Sequence, residues 1–105
     1  MRSIRIAALL LGSAFLLASA SAFAANHTGR ISLYHLNSGV AGRGVCIQTA
    51  PAMPNTWACL WKNNPLYSEM SELMLQAHVN NRSCTISWNG PDPNGWNLIS
   101  IVECR

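Results

Sequence analysis

Gly44-Val45-Cys46-Ile47-Gln48-Thr49 and Trp57-Ala58-Cys59-Leu60-Trp61 decide how this chain is read. Each run alternates side chains in the manner of a half-buried strand. Between them lie residues 50–56, with Pro51 and Pro54 to turn the chain. The pair therefore reads as a hairpin. Residues facing one another across a hairpin keep a constant sum of residue numbers. The midpoint of Cys46 and Cys59 falls between Ala52 and Met53, inside the turn. These two cysteines can thus face one another directly, as a cross-strand disulfide requires.

The same arithmetic applies further along. Asn89-Gly90-Pro91-Asp92-Pro93-Asn94-Gly95 is a cluster of turn residues. The midpoint of Cys84 and Cys104 is Asn94, inside it. Four cysteines allow three connectivities. The two hairpins select Cys46–Cys59 and Cys84–Cys104. Zinc is the competing use of four cysteines, but the chain has no C-x-x-C pair.

The chain has 105 residues. Its start, Met1-Arg2-Ser3-Ile4-Arg5, is basic, residues 6–18 are mostly apolar, and Ala22-Phe23-Ala24 has the small-x-small form of a cleavage site. Residues 1–24 read as a secretory signal peptide, with cleavage after Ala24 or, as the alternative, after Ala20. The expected location is the periplasm or outside the cell, where disulfides form. No membrane span is expected after cleavage. Residues 25–105 are expected to form one domain, small enough to need staples.

That domain carries Arg30, Arg43, Lys62, Arg82 and Arg105 against Glu69, Glu72, Asp92 and Glu103, a net charge of +1. No basic patch points to nucleic acid.

Working outward, residues 30–36 alternate as a strand, followed by turn chemistry at Asn37-Ser38-Gly39 and Gly42-Arg43-Gly44. Strand two is expected over 44–49 and strand three over 56–62. Asn64 and Pro65 suit a helix N-cap and first position. Leu66, Met70, Leu73, Met74 and Ala77 recur at helical spacing, and Asn80-Asn81 suits the C-terminal cap. Residues 84–88 and 96–104 are the last strands. The order β-β-β-α-β-β predicts a mainly β, α+β fold: an OB-like five-stranded barrel with one helix and two disulfides.

Register also sorts the faces. Val45, Ile47, Ala58 and Leu60 share the side expected to face the core. Gln48, Trp57 and Trp61 share the other with Cys46 and Cys59. Indoles beside a glutamine suit stacking on a sugar ring with hydrogen bonds to its hydroxyls. The alternative is that the indoles only cover the disulfide or pack under the helix. In the second hairpin, Ile99 and Ile101 fall opposite the face of Cys84, Ile86 and Trp88. They are either a subunit contact or are covered by the barrel.

No catalytic constellation is present. His27, His35 and His78 have no metal-ligand spacing, there is no G-x-S-x-G, and Glu69 and Glu72 lie on one helix as a solvated face. No cofactor, metal or catalytic residue is expected, and the protein is read as a non-enzyme.

Thr28-Gly29, residues 31–35, Cys46-Ile47-Gln48-Thr49, Ala58-Cys59, residues 72–77 and residues 97–104 run collinear with one known group. Over these stretches the chain resembles the pentameric B subunits of the subtilase-cytotoxin and typhoid-toxin type, related to the pertussis toxin B subunits. The resemblance implies an OB-fold, a homo-pentameric ring, binding of host glycans and a separate catalytic A-type partner. The family's N-terminal segment, which supplies a serine to its sugar pocket, has no counterpart here. No sugar-binding residue is carried over. Two functions are therefore expected in competition: a secreted glycan-binding module of toxin B type, or an exported structural or inhibitory protein that docks to another protein.

Overall fold

The computed structural model describes residues 25–105; the expected signal peptide and its cleavage site fall on residues 1–24, outside the described residues. The elements run β1 (Ala25–His35), β2 (Arg43–Ala50), β3 (Ala58–Trp61), α1 (Tyr67–Val79), β4 (Ser83–Pro91) and β5 (Asn97–Cys104). The five strands close into a barrel in the order β1-β2-β3-β5-β4, with β4 pairing back onto β1. Every neighbour is antiparallel except β3 and β5, which run parallel and pair only at Ala58–Asn97 and Cys59–Leu98. With the helix entering between β3 and β4, this is the expected OB-like architecture.

β1 starts at Ala25, earlier than the alternation of residues 30–36 indicates. Its first half has two largely solvated faces, so no hydrophobic period marks it. It is held by backbone pairing with β4 and by a hydroxyl hydrogen bond between Thr28 and Thr85 at 2.7 Å. Its second half pairs with β2, and Arg30 stands opposite both Ala50 and Ser83. At this crossing the strands come close. A Cβ on Gly29 would lie 3.0 Å from the Ala50 carbonyl oxygen, which is why glycine sits there. An extra residue, Ser32, bulges β1 just beyond.

Both hairpins have the expected register: Cys46 faces Cys59 and Cys84 faces Cys104, each pair disulfide-bonded with Cα atoms 4.0 Å apart. Val45, Ile47, Ala58 and Leu60 are buried, as the alternation requires. α1 closes the core with Met70, Met74 and Ala77. Leu66 and Leu73, placed on the same apolar stripe, stay substantially exposed at 51% and 39%.

The helix begins two residues after Pro65, at Tyr67. Asn64 caps the preceding turn instead of the helix. Its Oδ1 accepts the Leu66 N–H at 2.9 Å and its carbonyl accepts the Tyr67 N–H at 3.0 Å. At the other end, Asn81 takes the left-handed conformation with φ 57°. The Arg82 N–H reaches the Ala77 carbonyl at 2.8 Å and the Asn81 N–H the His78 carbonyl at 3.4 Å, a Schellman closure.

The two readings of Ile99 and Ile101, subunit contact or cover by the barrel, part here: Ile99 cannot be an open contact, because it is covered by the barrel, only 2% exposed and part of the core. Ser87 pairs with Ile101 while Trp88 pairs with Ile99, so Ser100 is an extra residue in β5. The bulge turns Ile99 inward beside Trp88 and leaves Ile101 outward, 51% exposed.

Candidate functional site

The outer face of β2 and β3 ends in a small cleft of about 180 Å³ over the Cys46–Cys59 disulfide. Its walls are His35, Arg43, Trp57 and Trp96. His35 is the cross-strand neighbour of Cys46, which places it at the cleft from β1. Arg43 opens β2.

Trp57 precedes β3 and owes its position to two loops. Asn55 and Thr56 both have positive φ, 63° and 65°, and swing the chain back toward the sheet. The Trp57 N–H bonds the Asn55 carbonyl at 2.7 Å. The Asn55 side-chain amide donates to the Gly95 carbonyl, and the Asn97 amide to the Pro54 carbonyl, both at 2.8 Å. These bonds tie the β2–β3 loop to the β4–β5 turn. They bring the Trp57 ring 6.4 Å from that of Trp96 at 63°, and the His35 ring lies 5.3 Å from Trp57 at 59°. The Arg43 Nε is buried with no hydrogen-bond partner among the described residues. The cleft thus offers three aromatic surfaces beside a guanidinium.

The three residues expected to share a ligand face are separated. Trp57 is in the cleft. Gln48 is half-buried on β2 opposite Leu33 and does not line it. Trp61 is also half-buried, but its indole N–H donates to Asp92 Oδ2 at 2.9 Å and its ring lies over Gly42. Asp92 in turn holds its own turn together, its Oδ1 accepting the Asn94 and Trp96 N–H groups at 2.8 and 3.0 Å. Trp61 is therefore an anchor for the β4–β5 turn. Sequence reasoning missed His35, Arg43 and Trp96. His35 follows once β1 is registered against Cys46. Trp96 depends on the ties between two distant loops, for which the chain has no local signal.

His27, His78 and Tyr34 are used internally. His27 Nε2–H donates to the Pro51 carbonyl and His78 Nδ1–H to the Ile31 carbonyl, each at 2.8 Å. Tyr34 stacks near His78 and donates its hydroxyl to the Ser71 carbonyl at 3.0 Å. Burial, with Tyr67 nearby, raises the Tyr34 phenol above its ordinary value. Among the described residues there is no group of three or more His, Cys, Asp or Glu able to hold a metal ion, and no helix long and apolar enough to cross a membrane. All four cysteines are disulfide-bonded, which fits an oxidising compartment.

No family model matches the chain, and no curated protein or solved structure gives a significant match.

Proposed function

We propose that this protein is an exported, non-enzymatic binding module whose ligand is a glycan, held in the cleft around Trp57. The observation that carries the reading is the His35–Trp57–Trp96 arrangement beside Arg43. An indole flanked by two further rings suits the apolar face of a sugar, and a guanidinium suits its oxygens. The location adds support. The face of strands two and three, bordered by the β1–β2 and β4–β5 loops, is where OB-folds bind oligosaccharides and oligonucleotides. The near-neutral charge of residues 25–105 favours the former.

The resemblance to toxin B subunits extends the proposal to a homo-pentameric ring that docks a separate catalytic A-type partner. A glycan array probed with the mature protein tests the ligand. We expect binding to one glycan class, weakened about tenfold or more by Trp57→Ala, the factor that roughly 1.4 kcal/mol represents. Trp61→Ala is expected to lower stability. Absence of binding to every glycan would overturn the reading. Light scattering after gel filtration tests the ring, and a strict monomer at high concentration would remove it.

A further inference from the structure

We propose that the trough between α1 and β5 receives an extended peptide segment of a partner protein, laid along β5 and carrying a Lys or Arg that pairs with Glu69. This goes beyond the glycan reading, because the trough shares no lining residue with the Trp57 cleft. It gives the protein-docking alternative a surface and a partner chemistry.

Three observations combine. The first is the backbone of β5. On the side away from β4 its only strand partner among the described residues is β3, and that pairing ends at Leu98. From Ile99 onward, β5 has no second strand among the described residues. A free strand side is a ready template for another chain, and adding a strand there is a recurrent mode of peptide recognition.

The second is shape. Two adjoining cavities of about 660 and 320 Å³ run along this side of β5 and share Leu66, Met70 and Ser100. Together they span Leu98 to Val102, roughly 16 Å of strand at about 3.3 Å per residue. Leu66, Leu73 and Ile101 stand 51%, 39% and 51% exposed along it. Alternate apolar side chains of an extended segment would cover them.

The third is charge. Among the described residues Glu69 is the one charged side chain lining the trough, and Glu103 shares the outward side of β5 with Ile101. Two copies of this chain related by a two-fold axis across this face would set these carboxylates against their own equivalents. A segment with a cationic residue meets the opposite sign, which gives specificity to an otherwise apolar contact.

The experiment pans a phage-displayed library of random 12-residue peptides against the disulfide-intact mature protein. The selected peptides are then made synthetically and mapped by amide hydrogen exchange. We expect sequences with alternating apolar residues and one Lys or Arg, and new protection at β5 amides between Ile99 and Glu103. Ile101→Asp, at an exposed position the fold does not need, is expected to weaken binding at least tenfold. Glu69→Lys is expected to weaken it about threefold or more, with recovery when the peptide's cation becomes Glu. N-methylation at alternate peptide positions is expected to abolish binding, as a helical or purely side-chain contact would not require. Peptides that protect other segments, that ignore Ile101→Asp, or that tolerate N-methylation throughout would overturn the proposal. So would a self-association in sedimentation that Ile101→Asp dissolves, which would give the trough to a second copy. Trp57→Ala is expected to leave peptide binding unchanged, so failure of the glycan reading and failure of this one are distinguishable.

Discussion

Ile99 and Ile101 are the same residue two positions apart on one strand, yet one fills the core and the other meets solvent. The bulge at Ser100 separates their fates. Ile99→Ala should remove buried methyl groups and leave a cavity, costing about 2–5 kcal/mol. Ile101→Ala should fall within about 0.5 kcal/mol of the parent. Urea unfolding of the two variants would show the contrast. Tyr34 supplies a pH test. Its raised phenol holds its proton in the folded state at pH values where the unfolded chain has lost it. The stability this contributes is complete below the unfolded value near 10 and declines as pH rises beyond it. Tyr34→Phe should therefore flatten the alkaline limb of a stability–pH curve measured by chemical denaturation. That Tyr34 would be half-buried was not legible in residues 30–36. It packs against His78 and Ser71, which the helix brings from far along the chain.

At the scale of elements, the two hairpins were the most legible parts. Turn residues fixed their midpoints, and alternation fixed the core face of the first; in the second the bulge at Ser100 breaks the alternation. The disulfides that follow from them are not equally shielded. Cys46 and Cys59 are 2% and 0% exposed, whereas Cys104 is half-buried near the end of its strand. Graded reduction should open Cys84–Cys104 first, read by alkylation and mass mapping. Replacing either pair with alanine should cost about 2–4 kcal/mol. The helix was legible at its end, where Asn81 takes the left-handed cap, and less so at its start. Asn64 and Pro65 are good helix-opening residues, but the chain spends them on a separate turn.

For the whole molecule, the order of elements led to the OB-like barrel, but the pairings that close it were not readable. Closure depends on two features that leave no period in the sequence. One is the short parallel pairing of β3 with β5; the other is the polar first half of β1. The candidate site was half readable for the same reason. Trp57 belongs to a strand-like run, but its companions reach it from β1 and from the far side of the β4–β5 turn.

That polar first half of β1 also bears on when the chain can fold. Ala25 finds its partner at Trp88, and Gly29 finds its at Cys84. The earliest strand thus waits for some of the last residues to be made. A topology weighted toward such distant pairings has a high contact order and folds in milliseconds to seconds, far slower than helical domains of this size. The barrel therefore cannot close until β4 has been made, and until then the first half of β1 has no strand to pair with.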